Sequence, residues 1–111
     1  MEFKESTVLA SCLSFLKTNG IFCWRQNTGA FKTKDGGYFR SSTINGVSDI
    51  IGICPDGRFL AVECKRTKGG IVSDAQKDFL NKINAAGGVG IVVNSLESLV
   101  NQLEEKKVIK I

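Results

Sequence analysis

The segment GVSDIIGICPDGRFLAVECK, residues 46–65, decides how the rest of the chain is arranged. It contains two apolar runs, 50–54 and 59–64, separated by the tripeptide Pro55-Asp56-Gly57. Proline presets φ, and Asp-Gly accepts the positive φ of a tight turn. The segment therefore predicts a β-hairpin.

The second strand of this hairpin carries charges that a buried strand does not need. Because side chains alternate between faces, Glu63 and Lys65 project from the same face. In a hairpin the start of the first strand lies beside the end of the second, which places Asp49 near both. Desolvating charged groups costs free energy, so this cluster favours a functional site over a structural ion pair.

The residue types in the cluster point to metal-assisted chemistry. Two carboxylates at the rim of a sheet suit a hard divalent cation, most naturally Mg²⁺ or Mn²⁺. Such a cation polarises a phosphoryl oxygen and activates water, and Lys65 can stabilise negative charge in the transition state. We therefore expect phosphodiester hydrolysis.

Composition sets further limits. A chain of 111 residues predicts a single domain over residues 1–111, and the net charge of +4 is a mild bias toward polyanions. The sequence has no His, which excludes Ser-His and Cys-His nucleophile systems. Without a membrane-spanning run or a signal peptide, we expect a cytoplasmic protein that does not enter membranes. Four cysteines fall within apolar patterns at spacings unsuited to zinc, and we expect buried free thiols: Cys12, Cys23, Cys54 and Cys64.

Hydrophobic periodicity predicts an α/β domain with a central mixed sheet flanked by helices, in the order αβββαβ followed by a last helix. Besides the hairpin, the predicted elements are a helix over 3–18, a strand over 21–26, a helix over 74–86, a strand over 89–93, a helix over 95–105 and an edge strand in the tail 108–111. Ser73 and Gln76 match a capping box at the start of the second helix. Gly46 is expected to give the backbone room beside the acidic site.

Residues 31–45 are polar and basic with interspersed aromatics, and Asp35-Gly36-Gly37 suggests a hairpin turn or a mobile flap. A solvated loop is one interpretation, and contact with a nucleic-acid backbone is the other, which we favour. Basic side chains that are candidates for phosphate contacts, with surface solubility as the alternative, are Arg25, Lys32, Lys34, Arg40, Arg66 and Lys68.

The chain resembles the PD-(D/E)xK nuclease superfamily, because Asp49 is followed after thirteen residues by Glu63-Cys64-Lys65. More narrowly, it is similar over its whole length to a stand-alone VRR-NUC domain, the virus-type replication-repair nuclease module. Glu5 in the first helix, Gly46-x-Ser48-Asp49 and Ser73-x-x-Gln76 extend the resemblance. One departure is Ser48, where the family usually has Pro.

The resemblance implies a restriction-endonuclease-like core and a role for each matching residue. Asp49 and Glu63 would hold the metal together with the main-chain carbonyl of Cys64, and Lys65 would be the catalytic lysine. Glu5 would complete the acidic cluster, with Glu2 as the fallback. Gln76 would lie at the edge of the site, in addition to or instead of its capping role.

The function implied is a Mg²⁺- or Mn²⁺-dependent DNA endonuclease acting in DNA repair, selective for branched DNA such as a four-way Holliday junction. Similarity to stand-alone phage and bacterial members implies an intracellular homodimer. Two alternatives remain: a non-catalytic DNA-binding module on the same fold, and a structural or interaction protein whose charged rim is incidental. The first would bind DNA without cleaving it, and the second would bind neither metal nor DNA.

Overall fold

A computed structural model describes residues 2–26, 30–32, 34–40 and 44–110, with the backbone alone for 30–32 and 38–40. The helices and strands, in chain order, are α1 (Glu5–Thr18), β1 (Phe22–Arg25), β2 (Ala30–Lys32), β3 (Tyr38–Arg40), β4 (Ile50–Ile53), β5 (Phe59–Cys64), α2 (Asp74–Ala85), β6 (Val89–Val93) and α3 (Leu96–Glu105).

Four strands form the central sheet in the order β1-β4-β5-β6. β4 is antiparallel to both β1 and β5, whereas β5 and β6 are parallel. The α/β class, the mixed central sheet and the predicted element order are therefore confirmed. Strands β2 and β3 pair with each other in a separate antiparallel ribbon, as expected from the turn residues between them.

The β4–β5 turn follows the sequence signal. Gly57 has φ of +92°, which only glycine adopts without strain, and its N–H donates to the Cys54 carbonyl at 2.8 Å. Asp56 accepts from the Arg58 backbone N–H at 3.1 Å and from its guanidinium at 2.7 Å. The turn therefore fixes the register of the hairpin, and through it the position of Asp49.

The sheet separates two layers of apolar side chains. The main core lies between one face of the sheet and helices α1 and α3. All four cysteines are buried in this core as free thiols. The smaller layer lies under α2, around Ile51, Ala61 and Leu80. β5 contributes to both layers by alternation, with Leu60 and Val62 in the main core and Ala61 in the smaller layer.

The N-terminal helix begins two residues later than its apolar pattern predicts. Phe3 is held in an extended segment, because its N–H donates to Thr67 Oγ1 at 2.9 Å and its carbonyl accepts from the Thr67 N–H at 3.1 Å. Helix α1 then begins at Glu5, with Lys4 as an N-cap that makes no side-chain capping bond. This bridge ties the start of α1 to the loop that follows β5.

The predicted edge strand in the tail is wrong for the described residues 108–110. Lys107 adopts φ of +61°, and the Val108 N–H donates to the Leu103 carbonyl at 2.8 Å, closing the end of α3. Val108 is buried in the main core, which explains its apolar character without a strand. Among the described residues, the helices are too short and too polar to cross a bilayer.

Candidate metal and nucleic-acid site

The hairpin brings Asp49 beside the end of β5, as its turn predicts. Ile50 is opposite Val62 in the ladder, so Asp49 lies next to Glu63. One Asp49 carboxylate oxygen accepts a hydrogen bond from the Cys64 N–H at 2.8 Å. This bond fixes the orientation of the carboxylate where the β4–β5 ladder ends.

A third carboxylate comes from helix α1. Oxygens of Glu5, Asp49 and Glu63 lie within 4.8 Å of one another, a separation that one cation could bridge. Glu5 is in the first turn of α1, whose start is held by the Phe3–Thr67 bridge. Here we call these three carboxylates the acidic cluster.

Glu2, the fallback candidate, lies outside the acidic cluster. Its carboxylate is 3.8 Å from the Lys68 ammonium, and both side chains are largely exposed. Such surface pairs contribute little to stability. Of the two N-terminal acids, the geometry therefore favours Glu5.

Glu63 is the most unusual member of the acidic cluster, because only 1% of it is exposed. Its Oε1 atom has no hydrogen-bond partner within the described chain. The pKa of Glu63 is raised to about 8, chiefly because burial removes the carboxylate from water and also because Asp49 lies beside it, whereas Lys65 lowers it. A buried acid with a free oxygen is costly for folding, which indicates that the atom serves another purpose.

Lys65 and Gln76 form the second half of the site. The Lys65 ammonium lies 3.4 Å from Glu63 and 3.8 Å from Glu5. It donates to Gln76 Oε1 at 3.0 Å, while Gln76 Nε2 donates to Glu63 Oε2 at 3.1 Å. Gln76 therefore orients both charged side chains at once.

The capping role predicted for Gln76 also holds. Its Oε1 accepts from the Ser73 N–H at 2.9 Å, and Ser73 Oγ accepts from the Gln76 N–H at 3.2 Å. The capping box and the site contacts use the same side chain. Consequently the N-terminus of α2 and the acidic cluster are mechanically connected.

These residues fit a hard divalent cation. The ligands on offer are carboxylate oxygens, the type that Mg²⁺ and Mn²⁺ prefer, and Oε1 of Glu63 makes no hydrogen bond within the described chain that a cation would have to displace. The N–H and C=O of one strand residue point toward the same neighbouring strand, so the carbonyl of Cys64 also faces the Asp49 side of β5. The Cys64 thiol is instead buried in the main core, away from the cluster.

A cavity of about 450 Å³ adjoins the acidic cluster. Glu5 and Lys65 belong to both, so the cavity is a direct extension of the site. Its other lining residues are Lys4, Arg66, Gly69, Gly70 and Ile71. Arg66 donates to the Gly69 carbonyl at 2.9 Å, which stabilises the loop after β5.

Lys4 was not singled out from the sequence, and Ser48 was noted there only as a departure from the resembling family. Lys4 adds a cation to the cavity. Its position directly before Glu5 is the feature of the sequence that could have indicated this. Ser48 is fully buried, and its hydroxyl has no hydrogen-bond partner within the described chain. Nothing in the structure explains why this hydroxyl is buried. Ser48 stands at the position where the family that the chain resembles usually has Pro.

The predicted phosphate-contact residues fall into different surroundings. Arg66 lines the cavity, and Lys68 is paired with Glu2 at the surface. Arg25 is exposed on β1 at the Asp49 end of the sheet, because the next residue, Gln26, donates its N–H to the Asp49 carbonyl at 2.7 Å.

The remaining basic candidates belong to the β2–β3 ribbon. Lys34 is exposed in the turn between the two strands. Lys32 lies in β2 and Arg40 in β3, and their side chains are outside the described part of the structure. The structure thus connects Arg66 to the acidic cluster and leaves the ribbon residues as predictions.

Comparison of the chain with protein-family models, with curated proteins and with solved structures gave no match.

Proposed function

We propose that this protein is a metal-dependent DNA endonuclease of the PD-(D/E)xK type, similar to the stand-alone VRR-NUC nucleases. The observation that carries the proposal is the buried Glu63 carboxylate. Its free oxygen faces no protein partner within the described chain, while two further carboxylates lie within 4.8 Å and a lysine lies 3.4 Å away.

A structural ion pair accounts for this arrangement poorly. Lys65 is one ammonium among three carboxylates, so the group retains excess negative charge even with the lysine counted. Burying an uncompensated charge destabilises a fold by an amount on the order of several kcal/mol per ion. A divalent cation held by Asp49, Glu63 and Glu5 would remove this excess and would act as a Lewis acid toward a phosphoryl oxygen.

The protein's own side chains have separable roles in this proposal. Asp49 and Glu63 hold the cation, Glu5 completes the cluster directly or through water, and the Cys64 carbonyl is a further ligand. Lys65 orients the attacking water or stabilises negative charge on the transferring phosphoryl group. Gln76 is a positioning residue, because it acts through Glu63 and Lys65.

Nucleic acid is the substrate class that the surroundings support best. The cavity beside the acidic cluster is lined by the cations Lys4, Lys65 and Arg66, which suit the phosphates of a strand that crosses the cluster. None of the helices in the described residues is placed to read bases, so selectivity for DNA shape, and branched DNA in particular, is the more specific part of the proposal.

The test is cleavage of linear, nicked, flap and four-way DNA by purified protein with Mg²⁺, with Mn²⁺ and with EDTA. We expect metal-dependent cleavage that Glu63→Gln and Lys65→Ala each reduce by at least about a hundredfold, the scale on which electrostatic groups act. Salt-dependent DNA binding should survive both substitutions, since Lys4 and Arg66 remain in the cavity.

Three results would count against the proposal. Cleavage that survives both substitutions would assign the activity to another site or to a contaminant. DNA binding without cleavage by the unsubstituted chain, under any of the metal conditions, would favour a non-catalytic DNA-binding module. Absence of both metal affinity and DNA binding would make the acidic cluster a structural feature.

A further inference from the structure

The face of the central sheet that carries Asp49 and Glu63 continues to the edge strand β1. The Gln26 N–H donates to the Asp49 carbonyl at 2.7 Å, which extends the β1–β4 ladder by one pair and sets Gln26 opposite Asp49. Two residues earlier in β1, Trp24 is opposite Ile51 and shares this face with it. Trp24 and Asp49 are therefore diagonal neighbours, which lie about 7–8 Å apart in such a ladder, within reach of an aromatic side chain.

Next to Asp49, this face presents aromatic side chains to solvent. Trp24 is 39% exposed and Phe22 is 71% exposed, and their ring centroids are 5.5 Å apart. Helix α2 packs on β5 and β6, over the other half of the same face. Cys23, between the two aromatic residues, points to the opposite face and is buried in the main core. Cys23 therefore anchors β1, whereas Phe22 and Trp24 belong to neither apolar layer of the described chain.

One hydrogen bond orients the indole of Trp24. Its Nε1–H donates to Gln26 Oε1 at 3.0 Å, and Gln26 is the residue opposite Asp49. Because this bond satisfies the only polar group of the indole, the surface that remains for a partner is aromatic. Phe22 lies on the other side of Trp24 along the strand, and its ring is inclined by 57° to the indole. We call these two rings the aromatic platform.

The charges in this part of the chain favour a polyanion as the partner. Between Glu5 and Asp35 the sequence has no acidic residue, and its charged residues are all basic: Lys17, Arg25, Lys32 and Lys34. Arg25 directly follows Trp24 and is exposed on the edge strand. Nucleic acids are polyanions whose units carry flat rings, and proteins hold unpaired strands by stacking these rings on aromatic side chains beside basic groups.

The aromatic platform and the cavity lie on different sides of the acidic cluster. The cavity adjoins the cluster on the β5 side through Lys65, and the platform adjoins it on the β1 side through Gln26. Strand β4, which follows Asp49, lies between β1 and β5. A DNA strand that crosses the acidic cluster therefore has cations for its phosphates on one side and a stacking surface on the other.

We propose that the aromatic platform binds an unpaired base of the DNA strand whose phosphate lies at the acidic cluster, by stacking that base on Trp24. The proposal rests on the proposed function for the position of the strand, and it adds a contact to a base. The base is unpaired because bases within a duplex expose their edges in the grooves and not their faces. Since every base has a π face, the platform selects unpaired nucleotides and not a sequence.

Trp24 is the only tryptophan among the 111 residues, so its fluorescence reports directly on the platform. Titrations in EDTA, which prevents metal-dependent cleavage, compare three ligands of about twelve nucleotides, a length that such surfaces bind. They are an oligothymidylate, a blunt duplex, and an abasic strand that keeps the phosphates and lacks the bases. The oligothymidylate should quench Trp24 emission saturably, and the other two should leave most of it. It should also bind roughly tenfold more tightly than the abasic strand, the scale of stacking one base.

Substitutions at Trp24 separate an aromatic ring from other apolar surface. Trp24→Ala should weaken binding of the oligothymidylate roughly tenfold and leave binding of the abasic strand unchanged. Trp24→Phe keeps an aromatic face and should stay within about threefold of the unsubstituted chain. Leu96→Ala is the matched control, because Leu96 is 40% exposed but belongs to α3, on the opposite side of the sheet. Leu96→Ala should bind both strands as the unsubstituted chain does. Fluorescence anisotropy of labelled DNA measures binding by all variants.

Circular dichroism and the thermal transition establish that each variant is folded. Should Trp24→Ala not fold, the comparison of the oligothymidylate with the abasic strand decides on the unsubstituted chain alone. Equal affinities for these two strands overturn the proposal, and so does a folded Trp24→Ala that binds the oligothymidylate as Leu96→Ala does. Emission that changes with protein concentration and not with DNA also overturns it, because the patch then contacts protein.

The aromatic platform and the proposed nuclease activity fail separately. Quenching by the oligothymidylate that is lost with the bases, in a chain that cleaves no DNA under any metal condition, supports the platform and contradicts the nuclease. Cleavage by a chain in which Trp24→Ala changes no affinity contradicts the platform and supports the nuclease. A chain that binds no DNA overturns both.

Discussion

Gln76 donates its side-chain N–H to Glu63 at 3.1 Å, although Gln76 also closes the capping box at the start of α2. The orientation of the amide is fixed by its other end, because Oε1 accepts from both Lys65 and the Ser73 backbone. Helix capping and the alignment of the acidic cluster are thus coupled through one side chain.

This coupling predicts different outcomes for two substitutions that disrupt the same cap. Gln76→Ala should lower the free energy of unfolding by about 1 kcal/mol and should also lower the cleavage rate and the metal affinity, because Glu63 and Lys65 lose their shared partner. Ser73→Ala should have a similar effect on stability and little effect on cleavage. Chemical denaturation, calorimetric titration with Mn²⁺ and the DNA cleavage assay measure the three quantities.

Gln76→Glu refines the comparison. Glutamate at this position can still accept from the Ser73 N–H, so the cap should be retained. The donor to Glu63 is replaced by a carboxylate, which adds negative charge where there is already an excess. We expect reduced cleavage although the cap is retained, and equal cleavage by Gln76→Glu, Ser73→Ala and the unsubstituted chain would refute a positioning role for Gln76.

The burial of Glu63 predicts how stability depends on pH in the absence of divalent cations. The folded-state pKa of Glu63 is about 8, against an ordinary value of 4.5. Between these pH values the unfolded chain releases the proton while the folded chain keeps it, so the free energy of unfolding falls as pH rises. The loss is absent below about pH 4.5, complete above about pH 8, and on the order of a few kcal/mol.

Chemical denaturation in buffers that contain EDTA measures how the free energy of unfolding changes with pH. A range of roughly pH 4.5 to pH 8.5 spans both pKa values. Glu63→Gln has no carboxyl at this position to titrate, so its stability should fall less with pH, and the variant should be the more stable protein at pH 8. Adding Mg²⁺ or Mn²⁺ at that pH should raise the melting temperature of the unsubstituted chain and have little effect on Glu63→Gln. Parallel pH profiles for the two proteins would contradict the raised pKa.

The hairpin and its charges could be predicted from the sequence because their signals are local. Pro55-Asp56-Gly57 fixes the turn, alternation fixes the face of each side chain, and together they bring Asp49 to Glu63. The role of Gln76 was partly visible for the same reason, since a capping box is read from residues three apart. Its contacts with Glu63 and Lys65 depend on the tertiary placement of α2, which periodicity does not determine.

Pairings between distant residues account for the differences between sequence and structure. Phe3 fits an apolar helical stripe, yet it bonds Thr67, sixty-four residues away, and so lies outside α1. Val108 belongs to an apolar tail typical of an edge strand, but the positive φ of Lys107 turns it back onto the main core. In both cases a tertiary contact outweighed a short local pattern that was compatible with either structure.

The placement of Glu5 and Glu2 predicts unequal effects of removing each charge. Glu5→Gln should weaken Mn²⁺ affinity and cleavage, because Glu5 supplies one of the three clustered carboxylates. Glu2→Gln removes only an exposed pair with Lys68 and should change stability by less than about 1 kcal/mol, with cleavage preserved. Calorimetric titration with Mn²⁺ and the cleavage assay, performed on both variants, make the comparison.

A helix effect could be mistaken for a site effect at Glu5, because an acid in the first turn of a helix contributes about 0.3–1 kcal/mol through the helix dipole. Thermal denaturation without metal measures that contribution separately. If Glu5→Gln lowers stability within this range and leaves the Mn²⁺ affinity unchanged, Glu5 is a helix residue and not a ligand.

Gly46 connects the backbone before Asp49 to the start of α2, and its replacement should disturb both. Gly46 has φ of +77°, and a Cβ atom there would lie 2.2 Å from the Ala75 carbonyl oxygen and 2.6 Å from the Gln76 nitrogen. Backbone atoms cannot give way as a flexible side chain can. Gly46→Ala should therefore displace the N-terminus of α2, lowering both the free energy of unfolding and the cleavage rate.

Gly57→Ala is the matched control, because Gly57 has φ of +92° but no atom within 4 Å of the added Cβ. Gly57→Ala should cost only the left-handed conformation, about 1–2 kcal/mol, and should not affect cleavage. Gly46→Ala should cost roughly 2 kcal/mol more, since it adds a steric clash with the helix backbone. Equal stability losses measured by chemical denaturation would mean that the loop before Asp49 and α2 can separate, and then Gln76 would not hold the acidic cluster rigidly.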